Sequence, residues 1–407
     1  MGRQHDFDFP RFVSGTIIAG CICLSLFGPL MSLAQLPPAE KASDDAVEDR
    51  SDLVPLELRY RDPKTYPAGT KRSIIIGDFK CGSDGTVFLP MMDDSTPWLN
   101  AVEHPGQGVD REHGFVVTAL SPSGSVVRFL PGKIPGLRKF VPELRYFVSP
   151  SRVYTLEMAE IYDESDPQKT LGRAHLIFIF DYKGTQQGVI RLDPDLNAVN
   201  IAAFASGDLL VVSVNKWNQT TRLLILDSKG RRMDELSLFD EDYMQKLQPA
   251  VKEKKADSEA NERASRQLAL SKWAPFGDNL LLAPTAAQLP LIEVNENGIA
   301  RTTTANLPRG VVIGALLASN DKVYHVLAGH LKPDDPQATG AGPPGAPGAT
   351  FISDEIDDIN PGDGTLLRRI NFAHGLSPAC AQDESYTFMT PREDDGKLQL
   401  IHGTVIH

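Results

Sequence analysis

From about Leu53 onward the chain repeats one phrase: an apolar run, a short polar turn containing Gly, Asp or Asn, then a second apolar run. The turns stand out at Ser121-Pro122-Ser123-Gly124, Asp181-Tyr182-Lys183-Gly184, Asp227-Ser228-Lys229-Gly230, Asn295-Glu296-Asn297-Gly298 and Asn360-Pro361-Gly362-Asp363-Gly364. Each ends in a Gly that can take the positive φ of a tight hairpin. Most begin with an Asp or Asn whose side chain can bond its own turn. The flanking runs at 126–130, 175–180, 222–226, 290–294 and 366–370 are short and apolar, so the pattern predicts β-hairpins.

A second phrase alternates with the first, a shorter turn followed by a strand. It occurs at 83–89, 149–158, 204–214, 276–283, 319–328 and 382–389. Six instances in preserved order, each carrying about four short strands, predict an all-β fold: a single β-propeller of six blades over residues 53–407. A seventh blade has room around residues 90–120. Two stretches fall outside the phrase. Residues 240–267 are densely charged, with Ala256, Ala260 and Ala264 at helical spacing and Pro249 suited to a first turn, and predict one solvated helical insertion. Residues 338–349 form a low-complexity Gly/Pro/Ala loop.

Composition agrees with many short strands: 33 Gly, 30 Pro and 7% aromatic residues in 407. The formal net charge of −12, with no sizeable basic cluster, argues against a nucleic-acid partner. Residues 12–34 carry no charged side chain and follow Arg3 and Arg11. Ser32-Leu33-Ala34 fits signal-peptidase cleavage, which makes 1–34 a signal peptide and the Pro-, Ala- and Asp-rich stretch 35–52 a flexible linker. An uncleaved membrane anchor and a lipoprotein signal through Cys21 are the alternatives. All three export the remainder, to the periplasm or outside the cell, and cleavage leaves no membrane span.

The phrase order resembles that of secreted six-bladed β-propellers, the broad group that includes NHL-repeat and TolB-like proteins. The resemblance rests on blade grammar, since the WD and YWTD signatures are missing. It implies a closed ring in which the first and last blades are neighbours. Cys81-Gly82-Ser83-Asp84 and Cys380-Ala381-Gln382-Asp383 would then lie side by side. These cysteines are the pair left after signal removal, and export would favour a Cys81–Cys380 disulfide over two buried thiols. The early strand 53–60 would pair beside 398–406 and remove an open sheet edge.

Motifs for chemistry are sparse. No nucleophile elbow, H-E-x-x-H, C-x-x-C or Walker loop is present, so no catalytic, cofactor-binding or metal-ligating residues are assigned. The G-x-G-x-x-G string at 340–345 sits among prolines and lacks the strand and helix a dinucleotide site needs. Asp193, Asp195 and Asn197 lack the rest of a calcium loop and read as a surface turn. Asp93-Asp94 and Asp357-Asp358 read as ordinary acidic turns. His104 and His113, each after a Glu in a Gly-rich stretch, and Trp217, beside Asn218-Gln219-Thr220, are the candidate ligand residues. His325 and Trp273 read as packed side chains. The pattern favours a monomeric, non-catalytic exported module binding a protein or polysaccharide at one face of the ring. A metal-dependent propeller hydrolase or lyase of lactonase type and an envelope-assembly scaffold are the alternatives.

Overall fold

In the computed structural model the described residues are 53, 55–66, 74–75, 79–92, 116–132, 134–163, 165–214, 221–236, 272–283, 291–307, 311–317, 323–331, 351–382, 384–391 and 398–407. The stretches expected to form a signal peptide (1–34), a linker (35–52), a helical insertion (240–267) and a low-complexity loop (338–349) lie outside them. The described chain is all β. Strand β1 (Leu56–Tyr66) is followed by a sheet of β2 (Ile74–Ile75), β3 (Lys80–Cys81), β4 (Val87–Met92), β5 (Val116–Leu120) and β6 (Val126–Phe129). A second sheet holds β7 (Leu137–Val148), β8 (Arg152–Asp163), β9 (Asp166–Asp181) and β10 (Gln186–Arg191). A third holds β11 (Ala198–Ala203), β12 (Leu209–Val214), β13 (Thr221–Leu226) and β14 (Arg232–Leu236). The fourth holds β15 (Lys272–Phe276), β16 (Asn279–Ala283), β17 (Leu291–Asn295) and β18 (Gly298–Thr303). Within the second, third and fourth sheets consecutive strands pair antiparallel, and in the first sheet β2 and β3 both pair with β4, which pairs with β5 and β5 with β6.

The remaining strands are β19 (Val311–Leu316), β20 (Tyr324–Leu331), β21 (Phe351–Ile359), β22 (Leu366–Asn371), β23 (Ser377–Gln382), β24 (Ser385–Pro391) and β25 (Leu398–Val405). With β1 they form one eight-stranded sheet in the order β19-β20-β21-β22-β1-β25-β24-β23. Six separate blades were expected; four sheets stand alone and the rest are joined. The cause is β1. It pairs antiparallel with β25 from Leu58↔Val405 to Tyr66↔Leu398, and its first residues pair in parallel with β22 at Leu56↔Ile370 and Glu57↔Asn371. The region proposed for a seventh blade has its described ends, β4 and β5, paired to each other in the first sheet.

The sheets pack face to face in a propeller-like arrangement, and the apolar clusters lie between successive sheets. Phe88 and Phe129 of the first sheet meet Phe180 and Tyr182 of the second. One cluster runs through the second, third and fourth sheets around Ile177, Leu210 and Leu282, and another joins the fourth to β20 and β21 through Leu281, Tyr324 and Ile359. Each fully buried side chain of this size contributes about 1.5–3 kcal/mol. The ring meets itself where Val87, Leu89 and Leu120 pack on Met389, Leu398 and Leu400. Cys81 and Cys380 are disulfide-bonded there, with Cα atoms 5.1 Å apart, and Gln382 Nε2 donates to the carbonyls of Gly82 and Ser83 at 3.3 and 3.0 Å.

The predicted hairpin turns form with Gly at positive φ. Gly364 shows why no other residue serves: its φ is +74°, and a Cβ there would lie 1.8 Å from the Thr304 carbonyl oxygen.

Candidate functional site

The strand order sorts the connections onto two rims. At one rim lie the turns from first to second and from third to fourth strand. They are tight and self-bonded, as at Gly82–Thr86, Asp181–Thr185, Phe204–Asp208 and Asp227–Arg231. The connections from second to third strand and from sheet to sheet leave from the opposite strand ends; 93–115, 215–220, 237–271, 284–290, 332–350 and 392–397 are among them and lie outside the described residues. The long β8–β9 hairpin also rises on this side, paired as far as Asp163↔Asp166, well beyond the last pairing of β10 at Leu176. His104 and His113 fall in 93–115 and Trp217 in 215–220, all outside the described residues, as are Trp98 and Asp93-Asp94.

The first strands of the sheets line the centre. β3 lies beside β23 and β7, β7 beside β11, and β15 beside β19. Lys80 crosses this centre: its Nζ donates to the Trp273 carbonyl at 2.9 Å, from the first sheet to the fourth. Trp273 itself is buried, as expected of a core residue. Asp193 closes a surface turn, accepting from the Asp195 backbone N–H at 2.9 Å.

The strongest concentration of buried polar chemistry lies elsewhere, on β20, β21 and β22. Asp357-Asp358, read as an acidic turn, is instead mid-strand, 0% and 1% exposed. Alternation along β21 sends the two carboxylates to opposite faces. Arg369 and Arg368 stand directly across on β22, paired with Asp357 and Asp358 respectively. One Asp-Asp and Arg-Arg strand pair therefore places charge in two different seams.

On the face toward β24, Asp358 is fully partnered. Its Oδ1 lies 2.5 Å from Nδ1 of the buried His325, which carries the shared proton if Asp358 is ionised. Its Oδ2 accepts from Arg368 Nε at 2.7 Å and Nη2 at 2.6 Å, with the Tyr386 hydroxyl 3.5 Å away. Arg368 also donates to the Tyr386 hydroxyl at 3.2 Å and reaches Glu384 at 3.5 Å; His407 meets the same Glu384 oxygen at 3.0 Å. The His325 and Tyr386 rings meet edge to face at 6.0 Å. His325 is thus a packed side chain, as read from alternation, and a polar one.

On the face toward the fourth sheet, Arg369 donates from Nε and Nη2 to one oxygen of Glu355 at 3.0 and 2.6 Å. Asp357 has no hydrogen-bond partner for either oxygen among the described residues, and Arg369 Nε is 3.7 Å away. Burial, then the neighbouring Glu355 carboxylate, pushes its carboxyl up to about 8. Further along this seam the Tyr324 hydroxyl donates to the buried Glu293, which Arg301 approaches at 3.7 Å. Burial and that carboxylate push the Tyr324 phenol up. Sequence reading missed the whole group, and the signal available was the paired D-D and R-R at matched distances from the Asn360–Gly364 turn.

Among the described residues no group of three or more His, Cys, Asp or Glu side chains is placed to hold a metal ion. Among the described residues there is no helix long and apolar enough to cross a membrane.

The class that these features define is an all-β, propeller-like protein with a covalently joined first and last sheet. No protein-family model and no curated protein matches the chain. Among solved structures it is similar to a protein of unknown function from Bacteroides caccae, at 11% identity over 74% of this chain and 83% of that one, TM-score 0.36. It is also similar to a DUF4623 family protein from Bacteroides eggerthii, at 10% identity over 87% and 78%, TM-score 0.38. A third similar structure, Porphyromonas gingivalis dipeptidyl peptidase 4, shares 8% identity over 82% of this chain and 44% of that one, TM-score 0.34. Similarities this distant carry no functional argument.

Proposed function

We propose that the chain is an exported, monomeric six-bladed β-propeller of the NHL-repeat/TolB-like kind that binds a protein or polysaccharide at one rim without catalysing a reaction. The blade number follows if the eight-stranded sheet counts as two blades, β19–β22 and β23–β25 with β1, touching through the short β1–β22 pairing. What supports the binding role is the contrast between connections: the turns from first to second and from third to fourth strand are tight, while most of those from second to third strand are longer and include His104, His113 and Trp217 in their sequence. Binding residues concentrate on such loops when a rigid scaffold holds their ends. The Cys81–Cys380 bond and the apolar stretch 12–34 support export.

The test is a glycan array and an affinity pulldown with the chain from residue 35 onward, beside the His104→Ala/His113→Ala double variant and Trp217→Ala. Retained binding in a variant shortened at the opposite, tight-turn rim and at least tenfold weaker binding in the loop-rim variants is the expected result. Stoichiometric calcium or zinc surviving dialysis, with hydrolysis of a lactone, would replace this reading with the metal-dependent enzyme.

A further inference from the structure

Asp357 is the one fully buried carboxylate among the described residues with both oxygens lacking a hydrogen-bond partner. A buried charge without a partner is costly, and a fold can remove that cost by keeping the group neutral. The surroundings of Asp357 make neutrality the favoured state. On its own strand Glu355 lies on the same face, and Asp358 is adjacent but turned to the other seam. From β22 it meets Arg369, whose Nε and Nη2 hydrogen bonds both go to Glu355. The residue opposite it on β20 is Val326. Across the seam the fourth sheet brings Leu281 and Leu291; of its charged groups, Glu293 and Arg301 are engaged with Tyr324 and with each other, and Lys272, on the same face of β15 as Ala274, has a partner as well. Two carboxyl groups thus face one guanidinium in an apolar seam. The Nε and Nη2 bonds of that guanidinium go to Glu355, so an ionised Asp357 would have the Arg369 charge 3.7 Å away and, among the described residues, no hydrogen-bond donor.

We propose that Glu355, Asp357 and Arg369 form a proton-binding site of the fold, holding one proton on Asp357 at neutral pH and loosening the seam to the fourth sheet when that proton is lost. The protonated form gives Asp357 an O–H that can donate to Glu355, the acceptor beside it, so proton uptake also supplies the missing hydrogen bond. An ordinary Asp loses its proton near pH 4. Between that value and about 8 the folded chain therefore binds one proton more than the unfolded chain. The sign is opposite to that of a salt-bridged carboxylate: this group's contribution to stability falls as pH rises across that window, and levels off above it.

The direct test is infrared spectroscopy of the full-length folded chain across pH 5 to 10. A carboxylic-acid carbonyl band is expected at pH 7, absent from Asp357→Asn and titrating away in the parent above about pH 8. Glu355→Gln removes the neighbouring charge, and its acid band should disappear at distinctly lower pH. In denaturant titrations, the ratio of the parent's unfolding constant to that of Asp357→Asn should rise about tenfold per pH unit between pH 5 and 7, the slope of one proton. A pH 7 spectrum with no band sensitive to Asp357→Asn would overturn the proposal, as would a ratio that stays constant across the window. If Asp357→Asn does not fold, an acid band in Glu355→Gln that titrates at the parent's pH also overturns it.

Discussion

Asp358 and Asp357 are consecutive on β21 and equally buried, yet Asp358 meets a histidine, an arginine and a tyrosine, while Asp357 meets no donor within hydrogen-bonding distance. The strand is the same; what differs is the sheet each side chain faces. Toward β24 the seam supplies donors: His325 from β20, Arg368 from β22 and the Tyr386 hydroxyl from the neighbouring strand group. Toward the fourth sheet it supplies Leu281, Leu291 and Ile359, and the nearby guanidinium is taken up by Glu355. The lesson is that the fate of a buried acid is set across the seam. Asp358 is surrounded by donors, and burial beside Glu355 drives Asp357 toward its acid form.

The comparison can be broken most severely at Asp358. Asp358→Ala removes the carboxylate that His325 and Arg368 share, and should lower stability by about 3–5 kcal/mol in denaturant titrations at pH 7. Next comes the seam closed covalently, which calibrates the other two. Cys380→Ser removes a bond linking residues 299 apart and should cost about 3 kcal/mol in the same assay, with the difference from the parent abolished under reducing conditions. Asp357→Asn moves the other way: relative to the parent it gains about tenfold in the folding equilibrium per pH unit between pH 5 and 7, and the difference is smallest below about pH 3, where the folded and the unfolded parent alike carry the proton. A loss at pH 8 equal to that of Asp358→Ala would mean that both acids are equivalent, and the contrast would fail. The smallest effect belongs to Tyr386→Phe, which keeps the ring against His325 and removes the hydroxyl between Asp358 and Arg368; about 1 kcal/mol is expected.

Much of the architecture was legible in the residues. The Asp/Asn-to-Gly turns announce hairpins because a positive φ and a side chain that bonds its own turn are local requirements, met or not met within four residues. The meeting of Cys81 with Cys380 and of the 53–60 region with 398–406 followed from ring closure and is present as a disulfide and as the β1–β25 pairing. His325 was readable as packed from the alternation with Tyr324, and Trp273 from its place just before the 276–283 strand phrase. The joining of the last two strand groups was not readable, because two residues of β1 bonding to β22 leave no mark on hydropathy. Asp357-Asp358 was misread for a related reason. Two acids in a row look the same in an exposed turn and in a strand whose faces both receive arginine, and only the register of β22 distinguishes them. Lys80 reaching the Trp273 carbonyl joins parts of the chain with no shared local pattern.

By itself, then, the amino-acid order determined strand, turn, closure and the all-β class, since these depend on local backbone preference and on which side chains avoid water. Tertiary structure alone decided how many strands join into one sheet, which seam each aspartate enters and whether it finds a donor there. Those outcomes depend on groups brought within about 3 Å of one another by packing, a distance at which hydrogen bonds form or fail and which no spacing along the chain encodes.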